Sequence, residues 1–333
     1  MSLFPISKVG AHLAPVAKDM ERSDETLRWS SYDGITELTV TPVDYRTHDG
    51  LRVVEEVRLT HSLAALSTVS ATEAAQINRF STMSCLVPVS GASQSKFVCK
   101  TGIFSGDLDA AERLHAPLIC SEAAVIGWYA ACLARGLLKA DPNNSPIFMT
   151  DKAPPYDVAD FEAVKRYADS KGVIASFGAD WFNAEFPWEA GAASAIFNLE
   201  AVKERAIDEL KLSEEEVERL GGATSLLQLL VMEHPLLGKG IQSRFQIPFN
   251  LSSGKKLGAS FLDVVAELNS WELTGLDLAP FFGAWCYDKT APTFVSFFPT
   301  QYCQPGMLNN LFAWAGYRHR RVQQWLTVGP SRH

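Results

Sequence analysis

The stretch "AQINRFSTMSCLVPVSGASQSKFVCKTGIF" (residues 75–104) has a counterpart 191 residues later, "AELNSWELTGLDLAPFFGAWCYDKTAPTFVSFFP" (residues 266–299). Each begins with Ala, then Gln or Glu, an aliphatic residue, Asn, a variable residue and an aromatic. In each, a Cys follows, and Phe-Val comes after a polar turn. Two copies of one pattern at this distance indicate a divergent internal duplication, so the residues around each copy should form the same elements.

Around the first copy, two β-rich runs between Ile35 and Leu63 flank "THDG", whose Asp-Gly favours a tight hairpin turn. Ser70 and Glu73 form a capping box that predicts a helix start. A second hairpin is predicted within residues 85–104, and an apolar helix from Ser121. The predicted order is therefore hairpin, helix, hairpin, helix.

The C-terminal part repeats this order. Two β-capable runs within residues 225–249 are followed by a helix around "ASFLDVVAELNSW", a hairpin within 280–299 and a closing helix after Pro305. The sequence thus predicts an α+β protein of two tandem units, each an antiparallel sheet packed by helices.

The segment 141–157, dense in Pro, Asn and Asp, is the predicted linker between the units. Residues 1–140 would hold the first unit with an N-terminal extension. Residues 158–333 would hold the second, which opens with a helix ending near Gly172. A charged helical insertion at about 199–222 has no counterpart in the first half.

Composition narrows the class of protein. Hydrophobic residues make up 47% and charged residues 20% of the 333, which is typical of ordered domains. A net charge of −8 argues against nucleic-acid and anionic-membrane partners. No apolar run reaches the length of a spanning helix, and no signal peptide is recognised. The six cysteines occur without a C-x-x-C pair, so reduced thiols and a cytoplasmic location are expected.

The pattern resembles the YbjN-like, type III secretion chaperone-like superfamily. The residues that carry the resemblance are "GITELTVTPVDYRTHDGLRVVEEVRLT", the "INRF" or "LNSW" at a helix end, the strands with "FVCK" or "FVSF", and the closing apolar helix. It covers most of residues 25–140 and 150–328, once per half. The resemblance implies a small α+β unit that binds protein segments or acts in regulation, and it carries no catalytic residues. A tandem of two units would mimic the dimer of single-unit chaperones.

Motifs with a known chemistry are missing from the sequence. It contains no H-E-x-x-H, G-x-S-x-G or G-x-G-x-x-G, so no catalytic, metal or cofactor residue and no cofactor is predicted. The duplication singles out Asn78 and Asn269. We interpret both as structural residues that end their helices through the side chain or the left-handed backbone conformation.

Two groups are candidates for partner binding. "DWFNAEFPWEAG" places four aromatics within eight residues, and Pro187 indicates an edge strand or a bend on which exposed rings could dock another chain. Strict alternation would put Phe182 and Phe186 on one face and Trp181 on the other. A basic cluster lies on the last helix, and we expect it near the C-terminus, where the helix dipole favours cations. This cluster could bind an anionic partner. The candidates are Trp181, Phe182, Phe186, Trp188, Arg318, Arg320 and Arg321.

The sequence favours a non-enzymatic adaptor, chaperone-like or regulatory, that binds another protein or peptide by strand addition and aromatic anchoring. The alternative is an enzyme of unknown class with a small-molecule site between the two units. Both a monomeric pseudo-dimer and a homodimer fit the tandem arrangement.

Overall fold

The computed structural model confirms an α+β protein with two tandem sheet units. It describes residues 2–15, 17–31, 34–46, 52–63, 69–80, 82–87, 95–106, 108–134, 148–149, 158–188, 224–234, 237–247, 261–274, 280–288, 291–300 and 306–328.

Besides short helical segments at Asn78–Phe80, Leu108–Ala110 and Ala111–His115, the first unit places six strands in one antiparallel sheet with three longer α-helices. In chain order they are α1 (Ile6–Leu13), β1 (Lys18–Arg22), β2 (Thr26–Ser31), β3 (Gly34–Arg46), β4 (Arg52–Ser62), α2 (Ala71–Ile77), β5 (Cys85–Val87), β6 (Lys96–Phe104) and α3 (Ala116–Ala134). The strands lie in the order β1-β2-β3-β4-β6, with β5 also beside β6. Helices α1 and α3 pack on one face of this sheet.

The second unit repeats the arrangement. Its elements are β7 (Phe148–Met149), α4 (Val158–Ser170), β8 (Ile174–Phe177), β9 (Trp181–Pro187), β10 (Thr224–His234), β11 (Gly238–Gln246), α5 (Phe261–Thr274), β12 (Pro280–Phe281), β13 (Ala284–Asp288), β14 (Ala291–Pro299) and α6 (Met307–Val328). The sheet order is β13-β14-β11-β10-β9-β8, with β7 beside β10. Helices α4 and α6 pack on one face.

Local sequence explains why these elements form. Ser70 caps α2 by accepting from the Glu73 backbone N–H at 3.2 Å, and the Glu73 carboxylate accepts from the Ser70 N–H at 2.9 Å, which confirms the capping box. In β4, alternate residues from Val53 to His61 are buried, the period of two expected when one strand face lies on the core.

The central strands β3 and β10 have equivalent neighbours in the two units. Leu38 on β3 pairs with Leu27 and Leu59, and Leu229 on β10 pairs with Phe182 and Ser243. Leu38 and Leu229 are 191 positions apart, the same separation as Asn78 and Asn269. The two hairpins and the two helices that follow them are therefore structural equivalents.

The helix and two strands before the hairpin also have equivalents. Elements α1, β1 and β2 occupy the places that α4, β8 and β9 occupy in the second sheet. Elements within residues 6–31 of the first half therefore have structural equivalents in the second half. The predicted order of hairpin, helix, hairpin, helix is the second part of a longer unit.

The units exchange short segments at their sheet edges. Strand β12 from the C-terminal half pairs with β6 of the first sheet, Phe281 lying opposite Lys100. In return, the Thr82 carbonyl accepts from the Phe297 N–H on β14 at 2.9 Å, and the Met83 carbonyl accepts from the Gly283 N–H at 3.0 Å. Each unit therefore completes an edge of the other.

A buried carboxyl holds the exchanged segment of the first unit. The Glu122 side chain accepts from the Thr82 hydroxyl at 2.6 Å and from the Met83 N–H at 3.3 Å. At the equivalent place in the second unit, the Leu273 carbonyl accepts from Lys100 Nζ at 3.3 Å and from Arg58 at 3.2 Å. Hydrogen bonds from side chains and backbone therefore hold both exchanged segments in place.

The predicted linker 141–157 lies outside the described residues except for β7, which pairs with Met232 and Glu233 of β10. The predicted insertion 199–222 lies wholly outside them. Among the helices that the structure describes, none combines the length and the apolar character needed to cross a membrane.

Candidate functional site

Three of the four predicted aromatic anchors lie in the core of the second unit. Phe182 and Phe186 are buried, and Trp188 is 7% exposed and donates from its indole N–H to Ser225 Oγ at 2.8 Å. The Phe186 ring lies 5.2 Å from that of Phe312. Rings packed in this way stabilise the unit and leave no exposed surface for a partner.

The expectation of an edge strand at these aromatics is wrong. Strand β9 pairs with β8 on one side and with β10 on the other. Pro187 is the last residue of β9, where the missing N–H does not interrupt the ladder. The edge strand of this part of the second sheet is β8.

The basic cluster lies in the middle of α6, so the expected interaction with the helix C-terminus is also wrong. Arg318 is buried, its guanidinium donates to the Glu272 carboxylate at 2.9 Å, and it lies 3.6 Å from the centre of the Phe294 ring. Arg321 lies over the Trp271 ring at 4.9 Å, while Arg320 is exposed. The three arginines therefore do not form one anionic-partner patch.

Trp181 is the predicted anchor that remains accessible. It is half-buried and points to the face of the second sheet that lies opposite α4 and α6, here called the outer face. Its indole packs on Gly178, where an added Cβ would lie 2.4 Å from the ring nitrogen. Glycine at this turn gives the ring the room it occupies.

Two apolar side chains continue the outer face from Trp181. Leu230 lies directly opposite Trp181 on β10, and Leu226 lies further along the same strand, both half-buried. The sequence interpretation missed them. A usable signal was the nearly continuous apolar run of "SLLQLLVM", which is typical of a strand covered on both faces.

Two cross-strand pairs on the equivalent face of the first sheet are polar, although the exposed Ile35 lies there at the position equivalent to Leu226. Where the second sheet has the cross-strand pair Trp181 and Leu230, the first has Thr26 and Thr39. Where the first has Arg28 and Glu37, at 4.0 Å from each other, the second has the uncharged pair Asn183 and Gln228. Substitution of two adjacent cross-strand pairs in one copy of a repeat points to a property that only this copy carries.

A small cavity lies between the two units, where α2 meets α5. Its volume is about 150 Å³. It is lined by Ala74, Ala75, Asn78, Leu86, Val87, Val265, Ala266, Asn269 and Ser270. Ala74 and Ala75 of α2 and the helix cap Asn78 have counterparts 191 positions later in α5, so the cavity lies at a junction of equivalent helices.

The side-chain amides of both asparagines that line this cavity form hydrogen bonds with strand backbone. Asn78 donates to the Leu86 carbonyl at 3.1 Å and accepts from the Leu86 N–H at 2.7 Å. Asn269 makes the same two bonds with Trp285, both at 2.8 Å. Each amide pairs with strand backbone as a neighbouring strand would. Asn78 is the C-cap of α2 and has a right-handed helical backbone conformation, and Asn269 lies inside α5. The expectation that a left-handed backbone conformation ends these helices is therefore wrong.

Five buried histidine, lysine and glutamate side chains with shifted pKa values lie outside the cavity lining. Burial lowers the pKa of His61, His234 and His319 to about 4 each. Burial also lowers the pKa of Lys100 to about 8 and raises that of Glu122. None of these five residues is among those that line the cavity. Ser270 is the one lining side chain with a hydroxyl, and the described lining gives it no acid or base.

A metal site is likewise not formed among the described residues, in which no three His, Cys, Asp or Glu side chains gather.

Comparisons with family models, with curated proteins and with solved structures find no match for this chain. The YbjN-like resemblance therefore remains a prediction from the sequence.

Proposed function

We propose that this protein is a non-enzymatic adaptor, chaperone-like or regulatory, that binds a peptide segment of another protein on the outer face of its second sheet. The observation that carries the proposal is the contrast between the two sheets at equivalent positions: Trp181 and Leu230 replace two threonines, and Asn183 and Gln228 replace an ion pair.

This surface has the chemistry that a polypeptide requires. Partly exposed Trp181, Leu226 and Leu230 offer apolar area, and Trp is among the residues that most often dominate binding free energy. Asn183 and Gln228 each carry a donor and an acceptor that can bond a peptide backbone. Because both side chains are uncharged, covering them with a peptide costs less desolvation free energy than covering a charged pair would.

The test is a selection of short peptides from a random-sequence display library with the intact chain. A double variant, Trp181→Thr with Leu230→Thr, copies the first sheet at both positions. We expect it to bind the selected peptides at least about tenfold more weakly, because loss of a buried Trp anchor commonly costs about 2 kcal/mol or more. Affinities are measured by calorimetry.

Trp188→Ala provides the matched control for an indole removed from the core. It should lower the melting temperature strongly, since large-to-small core substitutions of Trp cost about 3–5 kcal/mol. The Trp181→Thr, Leu230→Thr variant should melt within a few degrees of the parent chain. Failure to select any peptide, or peptides that bind this variant with unchanged affinity, would contradict the proposal.

We also propose a cytoplasmic location. Cys85, Cys99, Cys120 and Cys286 are buried and unpaired, which supports a reducing compartment. Burial raises the pKa of the Cys120 thiol to about 11, so its reactive thiolate is disfavoured.

A further inference from the structure

Strand β8 is an edge strand without the features that usually protect one. It ends the order of the second sheet, and within the described residues it pairs with β9 only. Its sequence, Ile-Ala-Ser-Phe, carries no charge, and Ile174 is 73% exposed. Ile174 is the most exposed of the large apolar side chains that the structure describes.

The equivalent edge of the first sheet is protected. Strand β1 carries Lys18, Asp19, Glu21 and Arg22, and its register with β2 shifts between Lys18 and Glu21. Asp19 there adopts a φ of 54°. Charges and a bulge are the means by which native sheets prevent edge-to-edge pairing. One edge of the repeat thus excludes a further strand and the other does not.

We infer that β8 is the dimerisation strand of this protein and that it pairs antiparallel with β8 of a second copy. An antiparallel pair of identical strands is self-complementary, so it forms a closed two-fold interface without any other partner. This inference does not rest on the proposed peptide binding.

The alternation of faces restricts the register, and we choose the one centred on Ala175 because it pairs every residue from Val173 to Phe177. Ala175 and Phe177 pack toward the core, since they lie opposite Ala184 and Phe182, while Ile174 and Ser176 lie on the outer face. A two-fold axis at Ala175 places Ala175 opposite its own copy and Ile174 opposite the second copy's Ser176. Residues opposite each other then share a face, as an antiparallel ladder requires.

Both sides of this junction gain burial. Ile174 is covered on the outer face, and Val173 and Phe177, only partly buried in one chain, are covered on the core face. The charges of the adjacent helix are paired within it, Lys165 with Asp169 and Arg166 with Glu162. Two copies can therefore approach without an unbalanced charge from these groups.

The first experiment measures the mass of the full chain in solution by light scattering. We expect twice 36.6 kDa at micromolar concentration. Ile174→Lys, a change at an exposed position, should give a folded monomer. Ile35→Lys is the matched control, because Ile35 is the exposed isoleucine of the first sheet, 41% accessible, and should leave the dimer intact.

The second experiment tests the register. Ala175→Cys should form an inter-chain disulfide under mild oxidation, because opposite residues in an antiparallel pair lie at a Cα separation that a disulfide can span. Ser176→Cys, whose opposite residue is the second copy's Ile174, should stay largely uncross-linked.

A monomeric mass for the unmodified chain at all concentrations, or a dimer that survives Ile174→Lys, would overturn the inference. So would a monomer whose binding to selected peptides is lost in Ile174→Lys, since that result would assign the edge to a peptide strand.

Discussion

Asn78 and Asn269 show what a repeated residue does in this fold. Each side-chain amide offers one donor and one acceptor to the backbone of a single strand residue, Leu86 or Trp285. The amide thereby forms the two hydrogen bonds that a neighbouring strand would form, and it links the helix to the sheet edge. Both side chains are buried, so these bonds are shielded from bulk solvent.

Removing either amide should be costly. Asn269→Ala leaves the N–H and the carbonyl of Trp285 without their partner, and each unsatisfied buried group costs about 1–3 kcal/mol. We expect Asn78→Ala and Asn269→Ala each to lower the free energy of unfolding by about 2–4 kcal/mol, measured by urea titration.

Asn310→Ala, at an exposed position of α6, is the control and should change stability by less than about 0.5 kcal/mol. Wild-type stability in Asn269→Ala would show that the amide is not structural.

The sequence predicted a structural role for both asparagines, but for a reason that the structure corrects. A pattern of residue types reveals that two positions obey the same constraint. It does not reveal the partner, because Trp285 is 16 residues from Asn269 and Leu86 only eight from Asn78. Only the folded chain brings these pairs together.

At the scale of elements, one buried polar pair of the hairpin β3–β4 has an apolar counterpart in the hairpin β10–β11. His61 on β4 lies opposite Thr36 on β3, and His61 Nδ1 lies 2.8 Å from the Thr36 hydroxyl. Its Nε2 has no hydrogen-bond partner among the described residues. The second unit has Leu227 and Phe245 at the equivalent places.

Burial lowers the pKa of His61 from 6.5 to about 4. Because the folded pKa lies below the unfolded value, the unfolded chain binds more protons between pH 6.5 and 4. The contribution of His61 to stability is complete above pH 6.5 and is lost as the pH falls through this window.

The double variant Thr36→Leu, His61→Phe copies the second hairpin and should reduce this pH dependence. The slope of unfolding free energy against pH between 4 and 6.5 should fall by up to about 1.4 kcal/mol per pH unit. Urea titrations at a series of pH values measure it. An unchanged slope in the double variant would mean that His61 does not titrate in this window.

Elements with a strong local signal were predicted well from the sequence. The capping box and the β3–β4 alternation each follow from neighbouring residues. The short or highly charged elements were not predicted from the sequence, because they lack a clear hydrophobic pattern. Strand β1 has four charged residues in five, and β12 consists of only two residues. Alternation separated Trp181 from Phe182 and Phe186, but it could not say which face would meet the core.

At the scale of the whole molecule, the two units are interdependent. Strand β12 lies in the first sheet, and the Thr82 and Met83 carbonyls bond to residues of the second half. A half expressed alone would leave these edge groups unpaired and would expose the apolar surface of α2 or α5.

We therefore expect residues 1–140 and 158–333, produced separately, to be poorly folded, and to regain a cooperative transition when mixed. Circular dichroism of each half and of the mixture measures this. Cleavage within 141–157 should likewise leave the halves associated under native conditions. The prediction fails if each half alone melts cooperatively near the temperature of the intact chain.

The exchange of edges also has a consequence during synthesis. Strand β6 emerges from the ribosome about 180 residues before β12, which at 5–20 residues per second is a delay of roughly 10–40 s. During that time Lys100 and Thr101 of the nascent first unit lack the strand that pairs with them in the finished molecule. The first sheet is therefore completed only after most of the second half has been translated.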